Sequence, residues 1–500
     1  MTMSTSVDVL VVGGGINGTG IARDAAGRGL TVLLVEKSDL GGATSSASSK
    51  LIHGGLRYLE QFEFRLVAEA LREREILLNA APHLVRAMRF VMPHVPALRP
   101  AWKIRAGLFL YDWLARRQTL PGSAAIDLSR APYNNGLKPW LHNGFIYSDC
   151  WVDDARLVIA TARSAQARGA QIRSRTSCIA LRRDAGKWRA ALQTAHGVTE
   201  EIEARFVINA TGPWAKSFLT DIAALDVPFG LRLVQGSHII VPKLYDGEHA
   251  FILQNDDRRV IFAYPYQADY TLIGTTDVEL RGTPEACAAS TDEVSYLCRA
   301  VNRYFQREVT EQDVVHRYAG IRPLFDDGSN NPSQVTRDYV LRIFGDPGEP
   351  ALLSVFGGKI TTYRSLSEQA VDALRPWFPD LGPHWTAQAK LDGGDLGAGD
   401  WAGLLQRTGR EYPWLPQPLL RTLARRHGAN VRELLTGAAG LADLGADFGA
   451  GLYACEVDWF MDQEWAATGV DVLWRRTKCG LQLTLAQQQA VIAYVVQRAS

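Results

Sequence analysis

The chain has 500 residues, a net charge of +1 and a composition that is 47% apolar and 21% charged. This balance excludes a globally disordered chain, and the 45 glycines and 22 prolines show no collagen-like period. A near-neutral charge gives no reason to expect nucleic acid as a partner. The 6 cysteines form no Cys-x-x-Cys pair, so we expect structural thiols in a reducing compartment and no metal site.

The N-terminal region predicts a strand, a glycine turn, a helix and a second strand. Residues 7–12 and 31–35 are apolar and rich in β-branched residues, as in strands buried on both faces of a parallel sheet. Between them, Gly13, Gly15 and Gly18 form a G-x-G-x-x-G motif, and Glu36 closes the second strand. The glycines let a pyrophosphate approach the helix N-terminus, and Glu36 can bind a ribose hydroxyl. This context predicts a dinucleotide site, for which FAD and NAD are both open.

The next part of the chain favours FAD. A Ser-rich loop at residues 44–50 interrupts the strand-helix alternation, and helices are predicted at residues 64–79 and 153–168. Strands that fit the first sheet return only at residues 206–212, which end in Gly212, and at residues 352–358. The second return carries Gly357, Lys359 and Thr361 at a helix start, where a positive potential suits a reduced flavin. Apolar runs between residues 237 and 275 predict an antiparallel sheet.

The composition changes near residues 385–395, after which helical patterns dominate. We predict FAD-binding parts at about residues 1–80, 145–220 and 335–385, and substrate-binding parts at about residues 81–144 and 221–334. Residues 391–500 are predicted to form an α-helical C-terminal domain.

The segment from Arg99 to Arg117 has basic residues at both ends and an apolar, aromatic centre. It is too short to cross a bilayer, but it can lie in the interface, with Trp102, Tyr111 and Trp113 at the headgroup level. The alternative is a buried core helix. The N-terminus lacks a signal-peptide pattern and no apolar stretch reaches about 18 residues, so we expect a chain that starts inside the cell and does not span a membrane.

Residues 44–58, TSSASSKLIHGGLRY, resemble the FAD-dependent glycerol-3-phosphate dehydrogenases of the aerobic respiratory branch. Further matching blocks lie at residues 147–157, 209–214, 236–238, 273–277, 320–324, 336–339, 356–364 and 473–478, in order along the chain. The resemblance implies oxidation of sn-glycerol 3-phosphate to dihydroxyacetone phosphate, with FAD as cofactor and a membrane quinone, ubiquinone or menaquinone, as acceptor. It implies a peripheral protein at the cytoplasmic face of the inner membrane and leaves a homodimer open.

The resemblance also implies the fold and the cofactor contacts. The expected fold class is α/β, with a Rossmann-like FAD domain of the glutathione-reductase and D-amino-acid-oxidase type, an antiparallel substrate sheet and a helical C-terminal domain. The expected cofactor-binding residues are Gly13, Gly15, Gly18, Glu36, Ser45, Ser46, Ser49, Gly212, Gly357, Lys359 and Thr361.

The substrate must lose a hydride and a hydroxyl proton while its phosphate is held. Arginines in the matched blocks suit the phosphate and the other oxygens, because a guanidinium binds oxygens two at a time. We assign Arg337 mainly to the phosphate and Arg57 and Arg322 to the polar end of the substrate, with Tyr58 lining the pocket.

His238 is the preferred general base, because an imidazole can accept a proton at working pH, and His53 is the competing candidate. With His238, the expected catalytic residues are Arg322 and Lys359, the latter stabilising the developing alkoxide or the reduced flavin. Three alternative functions are weighed: the first would use the same motifs, the second would need a carboxylate clamp, and the retained Arg57, His238, Arg322 and Lys359 argue against the third. They are a glycerol-3-phosphate oxidase that uses oxygen, an amine or amino-acid oxidase, and a non-enzymatic FAD-binding protein.

Overall fold

The computed structural model describes residues 5–115, 118–257, 259–326 and 338–500. The helices are α1 (Ile16–Gly27), α2 (Phe64–Ala80), α3 (Ala101–Trp113), α4 (Asp154–Gln166), α5 (Ala215–Ser217), α6 (Thr291–Asn302), α7 (Tyr363–Asp372), α8 (Asp400–Glu411), α9 (Gln417–His427), α10 (Val431–Leu434), α11 (Ala454–Glu464) and α12 (Leu485–Ala499). The strands are β1 (Thr5–Val12), β2 (Val32–Val35), β3 (Leu51–Ile52), β4 (Val85–Pro93), β5 (Ala124–Asp127), β6 (Asn143–Val152), β7 (Gln171–Arg173), β8 (Thr176–Asp184), β9 (Lys187–Thr194), β10 (Thr199–Asn209), β11 (Gly230–Pro242), β12 (Ala250–Gln254), β13 (Val260–Tyr266), β14 (Tyr270–Gly274), β15 (Val278–Glu279), β16 (His316–Asp326), β17 (Val340–Phe344), β18 (Ala351–Phe356), β19 (Asp447–Gly449) and β20 (Leu452–Tyr453).

The first sheet has the order β17-β18-β10-β1-β2-β7, and all its pairs are parallel except β17 with β18. The hairpin β8-β9 extends it from β10. Its central strands are buried along their whole apolar runs, because α1, α4 and α7 pack in one core against one face and a second cluster covers the other. The predicted returns of the chain to this sheet, as β10 and β18, are therefore confirmed.

The second sheet has the order β15-β11-β14-β13-β12-β4-β6-β3, with β16 beside β11 and β5 beside β6. It is antiparallel apart from the pair β12-β4. The predicted domain boundary at residue 145 differs from this arrangement, because β6 pairs with β4 along nine residues from Val85 to Pro93 and so belongs to the second sheet. The first sheet's α4 begins directly after β6, at Asp154.

The C-terminal part contains α8 to α12 around two apolar clusters, together with the short hairpin β19-β20. The helical domain predicted after residue 391 is thus observed, with a small hairpin that its sequence pattern did not indicate. Among the described residues, no helix is both long and apolar enough to cross a bilayer.

Candidate active site

A cavity of about 1650 Å³ lies between the carboxyl ends of the parallel strands and the second sheet. Pockets for small ligands are usually about 300–1,000 Å³, so this volume suits a large cofactor together with a substrate. It is lined by most residues that the sequence predicted for the site, namely Gly13, Gly15, Glu36, Ser45, Ser49, Arg57, Tyr58, Gly212, His238, Arg322, Gly357, Lys359 and Thr361. Gly18 and Ser46 do not line it, and Arg337 lies outside the described residues.

The glycine turn leaves no room for side chains where β1 meets α1. Gly13 has a φ of +112°, and a Cβ there would lie 2.5 Å from the carbonyl oxygen of Ala210 on the neighbouring strand. A Cβ at Gly18 would collide with the Gly13 carbonyl oxygen. Gly18 therefore supports close packing inside the turn, while Gly13 and Gly15 form the cavity wall beside the α1 N-terminus.

Glu36 ties the turn to the loop that follows β2. Its carboxylate accepts hydrogen bonds from the Gly14 N–H at 2.7 Å and from the Ser38 N–H at 2.8 Å. The carboxylate also lines the cavity at the end of β2. It therefore lies where the sequence predicts a ribose contact, although that contact stays a prediction.

The three serines predicted to bind the cofactor have three different surroundings. The Ser45 hydroxyl accepts a hydrogen bond from the Ile16 N–H at 2.9 Å and so caps the start of α1 from another loop. The Ser46 hydroxyl donates to the Ala43 carbonyl within its own loop. Ser49 lies 2.9 Å from His238, between its Oγ and the Nε2 of the ring.

The returning strand β18 ends in a turn that faces the glycine turn. Gly357 and Gly358 have φ values of +75° and +96°, and the Gly357 carbonyl accepts a hydrogen bond from the Asn17 side chain at 3.2 Å. Lys359 follows, and its Nζ lies 4.0 Å from the centre of the Tyr58 ring. Asn17 is a site residue that the sequence analysis missed.

His238 is held on three sides, the first of which is the contact of its Nε2 with Ser49 Oγ. It is 2% exposed, and its ring stacks on Tyr318 with 4.8 Å between centroids and 9° between planes. On the third side, β14 approaches so closely that Gly274 has no space for a Cβ beside the ring. Burial and the nearby Lys50 and Arg322 cations lower the pKa of His238 to about 3, so the ring is neutral at neutral pH.

His53, the competing base, lines the same cavity directly after β3. Its backbone N–H donates to the Thr361 hydroxyl at 3.3 Å, which links it to the turn after β18. Burial lowers the pKa of His53 as well. Both histidines are thus neutral and both face the cavity, and the choice between them stays open.

The two arginines of the site both come from the second sheet. Arg57 is exposed and lines the cavity after β3. Arg322 lies on β16, where it donates to the Thr276 carbonyl at 3.1 Å and approaches Asp277 at 3.6 Å. Gly236 on the paired strand makes this possible, since a Cβ there would lie 2.9 Å from the Arg322 guanidinium.

A lysine that the sequence analysis did not single out fixes the Ser-rich loop. Lys50 is buried and pairs with Asp154 at 2.8 Å, and the Ser48 hydroxyl donates to the same carboxylate at 2.8 Å. Asp154 stands at the first position of α4. The loop that carries Ser45 and Ser49 is therefore held against the FAD-type domain by a buried ion pair.

The aromatic segment forms α3, which lies at one mouth of the cavity. Ile104, Gly107 and Leu110 line the cavity, as do the neighbouring Phe62 and Phe64. The helix also has an exposed side, on which Trp102 is 71%, Phe109 64% and Trp113 72% exposed.

The prediction that Tyr111 lies at the surface is wrong. It is 3% exposed, and its hydroxyl bonds the Asp149 carboxylate and accepts the Gly54 N–H at 2.8 Å. The helix is therefore half core and half surface. Arg116 and Arg117, at the far end of the predicted segment, lie outside the described residues.

The cavity fits a dinucleotide in two respects: a glycine turn that lacks Cβ atoms at the N-terminus of α1, and an acid at the end of β2.

The described residues contain no group of three or more His, Cys, Asp or Glu side chains that could hold a metal ion.

Known proteins resemble the chain along its whole length. Residues 8–364 match the family described as FAD dependent oxidoreductase, and residues 384–498 match the C-terminal domain of alpha-glycerophosphate oxidase. The chain is 53% identical over 488 residues to glycerol-3-phosphate dehydrogenase of Pseudomonas aeruginosa, covering 98% of this chain and 94% of that protein. It is 48% identical over 495 residues to D-erythritol 1-phosphate dehydrogenase of Brucella abortus, covering 99% and 98%. The crystal structure of glycerol-3-phosphate dehydrogenase from Bacillus halodurans complexed with FAD has a TM-score of 0.74 and 26% identity, covering 98% of this chain and 94% of that one.

Proposed function

The chain belongs to the glycerol-3-phosphate dehydrogenase family of FAD-dependent oxidoreductases, and from this premise we propose that it oxidises sn-glycerol 3-phosphate to dihydroxyacetone phosphate and passes the electrons to a membrane quinone. FAD is its cofactor, as the sequence predicts. One observation carries the proposal: a single cavity brings the glycine turn together with Arg57, His238, Arg322 and Lys359.

Two parts of the first sheet would hold FAD: the glycine turn after β1 with the end of β2, and the turn after β18. Gly13, Gly15 and Glu36 suit the diphosphate and ribose, and Gly357 to Thr361 suit the ring system. Bound FAD supplies the acceptor for the hydride that leaves C2 of the substrate.

The arginines hold the substrate. Arg57 and Arg322 reach the cavity from opposite ends of the second sheet, after β3 and on β16, so they can bind a phosphoester and its hydroxyl oxygens from two sides. We assign the phosphate mainly to Arg337, and the polar end and oxygens of the substrate to Arg57 and Arg322. Lys359 lies beside Tyr58 at the cavity wall and would stabilise negative charge that develops on the reacting oxygen.

His238 takes the hydroxyl proton at Nε2 through Ser49, whose Oγ accepts the substrate proton as it passes its own proton to the ring. This nitrogen is in contact with Ser49 Oγ, which can donate to the neutral ring and accept from the protonated one. The low pKa of the free site reflects burial and two cations, and the negative charge of a bound phosphate would offset those cations and raise it. The substrate thereby improves the base that acts on it.

The test is anaerobic mixing of the holoprotein with glycerol 3-phosphate, followed by the oxidised-flavin absorbance. We expect rapid bleaching in the natural protein, and retained FAD with slow bleaching in His238→Ala. A His53→Ala variant decides between the two histidines. A holoprotein that stays oxidised contradicts the proposal, and normal bleaching of His238→Ala removes that residue from the mechanism.

A longer polyol phosphate is a second candidate substrate, because the Brucella abortus relative bears the name of a D-erythritol 1-phosphate dehydrogenase. It would present the same phosphate and secondary alcohol with one additional hydroxylated carbon. The same mixing experiment with D-erythritol 1-phosphate ranks the two compounds. The oxygen-using alternative is tested by hydrogen peroxide yield in air, which should be a small fraction of the substrate consumed.

The proposals of a quinone acceptor and of docking to a membrane rest on the mouth of the cavity beside α3. This mouth has apolar walls, and the exposed aromatic side of α3 lies beside it together with Lys103 and Arg105. An interfacial helix of this kind would bring the cavity opening to the depth where a quinone is dissolved. We therefore propose a peripheral protein at the cytoplasmic face of the inner membrane.

Sedimentation with vesicles that contain anionic lipid tests this placement. We expect binding that weakens with salt and is largely lost in the Trp102→Gln/Trp113→Gln variant. Trp140→Gln is the matched control, since Trp140 is 52% exposed but lies outside α3. Equal binding by all three proteins would refute docking through α3, and bleaching by glycerol 3-phosphate should be unaffected in each.

A further inference from the structure

The C-terminal domain reaches the cofactor region through one short segment, residues 471–478. This segment contains a short π-helix, Asp471–Arg476, followed by Thr477 and Lys478. Its polar side chains are directed at loops of the first sheet, and no role follows for them from the reaction chemistry above.

Asp39 forms ion pairs with two arginines of this segment. It is 3% exposed and lies in the loop that joins β2 to the Ser-rich loop. Arg476, which is fully buried, binds both of its carboxylate oxygens at 2.7 Å, and Arg475 binds one of them. Arg476 also donates to the Glu464 carbonyl at 3.1 Å, so its guanidinium is fixed from both sides.

The Asp39 loop is in turn bonded to the glycine turn. The Gly41 N–H donates to the Gly14 carbonyl at 2.9 Å, and the Gly14 N–H donates to Glu36 at 2.7 Å. The Leu40 side chain packs where a Cβ on Gly14 would lie. A displacement of Asp39 must therefore move the wall that faces the adenosine end of the cavity.

A second connection reaches the Ser-rich loop. Lys478 pairs with Asp153 at 3.1 Å, and the next residue, Asp154, holds Lys50 and Ser48 of that loop. The same C-terminal segment is thus bonded directly to the Asp39 loop and, through Asp153 and Asp154 at the start of α4, indirectly to the Ser-rich loop.

Buried ion pairs contribute little net stability, since each charge loses its hydration, but removal of one partner leaves an unpaired buried charge and is strongly unfavourable. We propose that residues 471–478 are a clamp that holds the two cofactor loops in their FAD-binding arrangement, with Arg476 and Asp39 as positioning residues. The C-terminal domain then has a definite role, which is to pre-organise the apoprotein for FAD. The proposal needs only FAD binding and is independent of the substrate and of the electron acceptor.

Asp39→Asn in the full-length protein tests the clamp, since it keeps the shape and removes the charge that two arginines share. The matched control is Glu456→Gln, a fully buried carboxylate paired with Arg426 at 2.6 Å inside the C-terminal domain, which contacts neither loop among the described residues. FAD is removed from each protein and added back, and the FAD dissociation constant and the melting temperature without FAD are measured.

We expect both variants to lower the melting temperature of the apoprotein, but only Asp39→Asn to weaken FAD binding, by at least about tenfold. A merely structural pair would lower the melting temperature and leave FAD affinity within about twofold, and that result would overturn the proposal. If Asp39→Asn does not fold, Arg475→Lys replaces it, because Arg475 is partly exposed and the variant keeps its charge. Unchanged FAD affinity in Arg475→Lys, with a lowered melting temperature, would count against the clamp equally.

Discussion

The close approach of β14 to His238 yields a sharp prediction for Gly274→Ala. A Cβ at this position would overlap Cδ2 of His238, its nearest neighbour, and would lie 2.7 Å from both Cγ and Nε2. Ordinary contact between such atoms begins near about 3.4 Å, so the ring must retreat by well over about 0.7 Å. It cannot retreat freely, because Tyr318 stacks on it and Ser49 bonds its Nε2.

A misplacement of about 1 Å at a reacting group costs roughly a hundredfold in rate, so we expect Gly274→Ala to slow flavin reduction by about 10- to 100-fold. The overpacking itself should destabilise the fold by about 1–3 kcal/mol and leave FAD bound. The assay is the rate of bleaching by saturating glycerol 3-phosphate. Gly230→Ala is the control in the same sheet, because its Cβ would meet its nearest neighbour at an ordinary 3.6 Å. A Gly274→Ala rate within about threefold of the natural one would refute the catalytic placement of His238.

Three further outcomes are expected. Gly18→Val should abolish FAD retention in the purified protein, because its side chain would collide with the Gly13 carbonyl. Ser49→Ala should slow flavin reduction by about tenfold, the value of one orienting hydrogen bond, whereas Ser46→Ala should leave that rate unchanged. Burial lowers the pKa of His249 from its ordinary value of 6.5 to about 4 in the folded protein. As the pH falls below 6.5, the unfolded chain therefore binds the proton first, and the free energy of unfolding decreases. Denaturant titrations should show that, between pH of about 7 and 5.5, the natural protein loses about 1 kcal/mol more unfolding free energy than His249→Gln does.

Local patterns gave the sequence analysis its correct elements. The β1 turn, with Gly13, Gly18 and Glu36, could be predicted because each residue serves a function that its immediate neighbours define. The late strand β18 could be predicted because an apolar run before two glycines has few other interpretations. In both cases the information lies within one short continuous stretch of chain.

The parts that were missed depend on contacts between distant residues. Ser49 and His238 are 189 positions apart, and no pattern in either segment indicates that one hydroxyl faces the other ring. Tyr111 was placed on the wrong side of α3 because its buried partner, Asp149, lies on β6, a distant element in the chain. The pairing of β6 with β4 was not visible in the sequence, because β6 is apolar enough for either sheet and its partner lies about 50 residues earlier in the chain.

The order of strands in the first sheet has a consequence for biosynthesis. β1 has no partner on one side until β10, at residues 199–209, has left the ribosome, and β10 in turn waits for β18, at residues 351–356. During that interval the nascent chain presents apolar strand edges that can pair with other chains. A prematurely terminated product that ends before residue 350 would keep the glycine turn but expose the Phe206 edge of β10, so we expect it to aggregate or to be bound by chaperones.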